Sequence, residues 1–137
     1  MLTIDRSASV SVPGPPDRCL ERLRDVEGYP SWAPLIRRAE PVGDRVRLRA
    51  ELLGVPFVMD CALEAGPEQA VLRRLPHGAD DDERYEATWT VTPDAGGSRV
   101  KLHVVAVLDA PGPARFVRGR IERKLVDDLL HDFARSL

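Results

Sequence analysis

Val117-Arg118-Gly119-Arg120-Ile121-Glu122-Arg123-Lys124-Leu125-Val126-Asp127-Asp128-Leu129-Leu130-His131-Asp132-Phe133 repeats one feature: Val117, Ile121, Leu125, Leu129 and Phe133 recur every four residues. Phe116, Val126 and Leu130 widen that line into a stripe, the mark of a helix with one buried face. A helix over residues 113–135 would be roughly 34 Å long at 1.5 Å per residue. So long a rod fits a chain of 137 residues only if a curved sheet wraps around it.

Upstream of the stripe the apolar period is two. Residues 99–109 place Val100, Leu102, Val104, Ala106 and Leu108 on one face, and Pro111-Gly112-Pro113 ends the sheet before the helix. Residues 84–92 do the same with Tyr85, Ala87, Trp89 and Val91, and Pro93-Asp94-Ala95-Gly96-Gly97-Ser98 connects the two as a hairpin. From residue 40 onward, Val42, Val46, Leu48, Ala50 and Leu52 alternate against Arg45, Arg47, Arg49 and Glu51 as one half-exposed strand. Gly54 breaks it; Val55, Phe57, Met59, Cys61 and Leu63 then alternate against Pro56, Val58, Asp60, Ala62 and Glu64. Gly66-Pro67 turns the chain into another strand over 69–75, and His77 to Glu83 form a polar loop.

The first strand spans residues 2–12, with Leu2, Ile4, Ala8, Val10 and Val12 on one face. Arg6 is the exception on that face, and a place at a sheet end accounts for it better than an inward role. Pro13-Gly14-Pro15-Pro16 stops the strand and opens a short amphipathic helix carrying Cys19, Leu20 and Leu23, which ends between Asp25 and Gly28. Gly28 to Ile36 form an apolar plug, with room for a short helix from Pro30. The layout is one strand, two short helical pieces, five or six antiparallel strands and the terminal helix, all in one domain over residues 1–137.

Composition narrows the function classes. Twenty Lys and Arg against 22 Asp and Glu give a net charge of -2, which argues against a nucleic-acid partner. No apolar run approaches the roughly 18 residues of a membrane span. The N-terminus lacks the basic-then-apolar layout of a secretory signal, and two cysteines make no disulfide framework, so a cytoplasmic address is expected. His77, His103 and His131 are too dispersed for a metal site, and no glycine-rich loop suits a phosphate; no metal or cofactor is expected. Asp80-Asp81-Asp82-Glu83 reads as a solvated acidic run, because a calcium loop spreads its ligands over about 12 residues. Cys61, in phase with Phe57 and Met59, reads as a small hydrophobe and His103 as an outward residue. Arg45, Arg47 and Arg49 on one strand, and Arg115, Arg118, Arg120, Arg123 and Lys124 near the terminal helix, read as solvated faces diluted by acids.

Asp25-Val26-Glu27-Gly28-Tyr29-Pro30-Ser31-Trp32-Ala33-Pro34, followed by Ala39-Glu40, resembles the D-x-E-x-Y-P-x-W/F-x-P stretch of START-like (SRPBCC) proteins. These include the polyketide cyclase/dehydrase and lipid-transport proteins and the coenzyme-Q-binding proteins. Thr88-Trp89-Thr90, the Gly96-Gly97-Ser98-Arg99-Val100 turn and the terminal helix extend the resemblance over essentially the whole chain. It implies an α+β helix-grip fold, a bent antiparallel sheet around the C-terminal helix with an apolar ligand cavity between them. Cyclase relatives resemble one another in an inward Tyr near the plug and an inward Arg on a later strand. Here Leu35-Ile36-Arg37-Arg38 and Val55 to Ala62 supply neither in phase. Tyr85, Arg6 and Arg120 are the substitutes on offer, and Asp60 and His103 complete the polar residues near such a cavity.

The expected function is binding or carriage of a small hydrophobic molecule such as a polyketide, quinone or lipid. The cavity residues would be Trp32, Phe57, Met59, Cys61, Tyr85 and Trp89, with Arg120 beside them. An aromatic polyketide cyclase/dehydratase is the first alternative. The second is an interaction module in which the six uncharged residues fill a closed core. A second copy of the chain, as a homodimer, is the protein partner considered.

Overall fold

The computed structural model describes residues 1–109 and 116–137. Pro111-Gly112-Pro113, the expected helix start at residue 113 and Arg115 lie outside the described residues. β1 (Leu2–Val12) leads through the prolines into α1 (Pro16–Arg24), whose Pro16 occupies the first turn, where a missing N–H costs nothing. A 3-10 turn (Val26–Ser31) follows, then β2 (Ile36–Val42), β3 (Arg45–Leu52), β4 (Val55–Ala65), β5 (Gln69–Arg74), β6 (Arg84–Asp94) and β7 (Gly97–Leu108). The seven strands form one antiparallel sheet in the order β1-β7-β6-β5-β4-β3-β2. β1 thus pairs along its whole length with the last strand, while α1 and the 3-10 turn carry the chain to the opposite edge.

The terminal helix, α2, is continuous from Arg118 to Arg135, with α geometry over Arg118–Glu122 and Leu129–Arg135 and π geometry over Arg123–Asp128. A residue every fourth position advances by about 40° per step around an ordinary α-helix. The wider π turn moves the line back, so Ile121, Leu125, Leu129 and Phe133 all stay buried against the sheet. This is the bent sheet gripping a helix that the four-residue stripe implied.

Three local expectations are corrected. Residues 42–52 are two strands: Gly43, at φ +64°, turns the chain between β2 and β3. β2 is an edge strand whose exposed Arg37 and Arg38 obscure any alternation. The short helical piece after α1 begins at Val26 and contains Pro30, held because the buried Tyr29 donates its hydroxyl hydrogen to the Leu23 carbonyl at 2.6 Å.

Arg6 is mid-strand, opposite Val104, and not at a sheet end. Its Nε and Nη2 donate to the two Asp127 carboxylate oxygens at 3.0 and 2.7 Å, and Nη1 lies 3.6 Å from Glu122. A fork matched to a carboxylate therefore fastens the middle of α2 to β1, where an aliphatic residue would only pack. At the sheet end, any Cβ on Gly97 would run into the Val12 carbonyl oxygen, so a glycine lets β7 start against the end of β1. The buried Ser98 donates to the Gly14 carbonyl at 2.7 Å and ties down the proline-rich link.

Candidate functional site

Trp32, Trp89 and Phe133 meet at ring-centroid separations of 5.2 to 6.0 Å, with Tyr29 5.0 Å from Trp32. This tilted and edge-on packing closes one end of the space between sheet and α2. Beyond it the inward faces of β3 and β4 and the middle of α2 do not meet, and a partly open cavity of about 110 Å³ remains. Phe57 and Met59 point inward from β4 yet are only half-buried. Inward residues that keep accessible surface are wall, not filling. Leu48, Ala50 and Leu52 form the wall beside them, and Leu125 and Leu129 of α2 the roof.

Phe57, Met59, Tyr85 and Trp89 border the cavity. Trp32 does not; it stands behind Trp89, with an indole N–H that meets no acceptor among the described residues. Cys61 is fully buried beside the cavity, and burial pushes its thiol up to about 12, so it is an inert side chain at neutral pH. Arg120 is exposed on α2 and does not line the cavity, because its position falls off the buried stripe.

The other polar candidates are engaged elsewhere. Asp60 faces away from Met59 and Cys61 and accepts from Arg47 Nε at 2.8 Å, across the β3–β4 pair. This pairing holds the Asp60 carboxyl below its ordinary value, the Arg47 hydrogen bond being the largest cause. His103 lies 2.6 Å from Asp5 on the outer face.

One polar residue absent from the sequence-derived set stands at the cavity. Arg74 ends β5 in phase with Ala70 and Leu72, so its side chain points inward, with only 11% of it exposed. Its Nη2 donates to Asp81 Oδ2 at 2.6 Å and its Nη1 to the Glu83 carbonyl at 2.9 Å. Asp81 also accepts the backbone N–H groups of His77 and Glu83. The acidic run is therefore not simply solvated: Asp81 folds the β5–β6 loop over Arg74, and Glu83 joins the cavity lining. Arg74 in phase with Ala70 and Leu72, followed by four acids, is the signal that would have found this group.

Tyr85 completes the polar end. It is only 7% exposed, and its hydroxyl has no hydrogen-bond partner among the described residues. Burial pushes its phenol far above the ordinary value, so it stays protonated and available as a donor. Tyr29 also borders the cavity, but its hydroxyl is committed to Leu23.

The Arg74 guanidinium, then the His77 N–H, hold the Asp81 carboxyl at about 2, against an ordinary 3.8. A carboxylate depressed in the folded state stabilises it fully above its unfolded value and loses that contribution as pH falls through the folded one. Asp81→Asn is therefore expected to melt below wild type at about pH 5, with the gap closing between about pH 4 and pH 2. Parallel thermal melts across that range check it; a gap independent of pH would mean the Arg74–Asp81 pair does not hold the loop.

The family model described as polyketide cyclase / dehydrase and lipid transport matches residues 3–137. Among solved structures, TTHA0849 from Thermus thermophilus superposes with a TM-score of 0.77 at 22% identity, over 96% of this chain and 95% of that one. The Zhui aromatase/cyclase from Streptomyces sp. R1128 gives 0.76 at 22% identity, over 98% and 93%. A START superfamily protein from Mycobacterium smegmatis gives 0.66 at 22%, over 97% and 99%. At such identities these structures share the fold, which many different sites can occupy. A comparison with curated proteins finds no match. Among the described residues, no helix is long and apolar enough to cross a membrane.

Proposed function

Because the chain belongs to the polyketide cyclase/dehydrase and lipid-transport family, we propose that it binds and carries a small, largely apolar molecule in the cavity between the sheet and α2. The observation that carries this reading is the half-buried inward wall of Phe57 and Met59 under Leu125 and Leu129. An interaction module with a closed core would have no use for that wall. Nucleic acid is not part of this reading: Arg45, Arg47 and Arg49 of β3 each stand beside an acid, at Asp44, Asp60 and Glu40, which dilutes the basic strip.

Cyclisation of a poly-β-ketone chain is the second reading, and Arg74 and Tyr85 at one cavity are the observation that favours it. Closure would draw on donors placed near a developing enolate oxygen. Both Arg74 Nη groups already donate within the protein and no carboxylate or imidazole on the described wall is free to take a proton except Glu83, which accepts the Asp109 N–H at 3.3 Å. Carriage therefore ranks first.

An environment-sensitive apolar fluorophore is expected to bind saturably at roughly micromolar Kd. Ala50→Phe, which fills the cavity from β3, should weaken it at least about tenfold, while Arg47→Ala on the outer face leaves it within about twofold. Absence of saturable binding would end the reading. A poly-β-ketone surrogate incubated with the protein should cyclise at its spontaneous rate; acceleration lost in Tyr85→Phe with fluorophore binding retained would install the cyclase instead.

A further inference from the structure

Tyr85 is the one group at the cavity that is deeply buried, protonated and without a partner among the described residues. Its hydroxyl keeps some accessible surface at the cavity lining, and a bound molecule that supplies an acceptor would pair it there. The charged residues that share the cavity lining decide which acceptor. Arg74 has two of its five N–H donors on the Glu83 carbonyl and Asp81, and its charge is already balanced by the Asp81 carboxylate. With Arg74 balanced by Asp81 behind it, Glu83 is the unbalanced charge of the lining, and Asp80 and Asp82 stand on the same loop. An ionised carboxylate brought to Tyr85 would lose its hydration and meet repulsion.

Resting on the carrier reading above, we propose that Tyr85 is the specificity-determining residue of the cavity: its hydroxyl donates to a neutral carbonyl oxygen on the ligand, and the Asp81–Glu83 rim refuses free carboxylic acids. The preferred class is then an aryl or cyclic ketone, an ester or a quinone, and not a fatty acid. The cavity volume, about 110 Å³, sets the inner part at about one ring, since an engineered apolar cavity of roughly 150 Å³ takes up benzene.

Acetophenone, cumene and benzoate share the same heavy-atom connectivity and differ chiefly in carrying a ketone oxygen, no acceptor, or a charge. Each is titrated at neutral pH into the full chain, with amide chemical shifts as the readout. Tyr85→Phe should weaken acetophenone about fivefold and leave cumene within about twofold, so that cumene also reports an intact cavity in the variant. Benzoate should bind at least about tenfold more weakly than acetophenone, and Asp81→Asn should recover at least about threefold of that. Equal responses of acetophenone and cumene to Tyr85→Phe, or benzoate binding as well as acetophenone, would overturn the specificity assignment and leave the carrier reading standing. No saturable binding of either neutral probe to wild type would overturn both.

Discussion

Val126→Asp is expected to leave no cooperatively folded protein. Val126 is fully buried on α2, in the π segment that faces the sheet. A carboxylate there would be stripped of water at a cost of several kcal/mol, a large share of the about 5–15 kcal/mol that holds such folds together. Arg6, on the strand facing this turn, offers no rescue, because it is already shared between Asp127 and Glu122. Asp128→Asn, on the exposed side of the same turn, is the control and should change the melt little. Circular dichroism melts of both variants check the result. A cooperative transition for Val126→Asp within about 5 °C of wild type would mean that α2 is not seated as described.

That seating was legible in the sequence because the signal is long and redundant. Five apolar residues at a spacing of four could only be a helix, and the alternations in β1, β6 and β7 could only be a half-buried sheet. What was not legible is local. β2 carries two arginines and Pro41 on an edge, so its seven residues have no period to read. Arg6 looked misplaced because its partner, Asp127, is 121 residues away, and periodicity along one strand says nothing of the charge that meets it. The same blindness hid Arg74. One strand, six residues long, gives too few positions to establish which face is inward, and its partners sit on a loop that reads as solvent.

The candidate site shows a related limit. Phe57, Met59, Cys61, Tyr85 and Trp89 belong to the interior, as their phase implied, and Trp32 of the apolar plug joins them. Phase separates inside from outside, yet it does not separate packed interior from cavity wall. That division depends on how far the sheet bends away from α2, which is a property of seven strands together. Phe57 and Phe133 make the point: both lie on apolar stripes, one half-exposed to the cavity and one wholly enclosed by Trp32 and Trp89.

The two phenylalanines therefore give the second large prediction. Phe133→Ala removes a ring that is fully buried and 5.2 and 5.4 Å from its two tryptophan neighbours, and should cost about 3–5 kcal/mol. The vacated space is bordered by the Trp32 and Trp89 rings, whose size limits how far it can collapse. Phe57→Ala enlarges a space that already exists and removes contacts from only part of the ring, so its cost should be under half as large. Ligand affinity should divide the other way, with the cavity fluorophore weakened more by Phe57→Ala, whose ring it touches, than by Phe133→Ala measured where that variant remains folded. Urea unfolding midpoints with unchanged slope supply the stabilities. Equal losses for the two variants would mean that Phe57 is packed as tightly as Phe133, and a wall packed that tightly has no room beside it for a ligand.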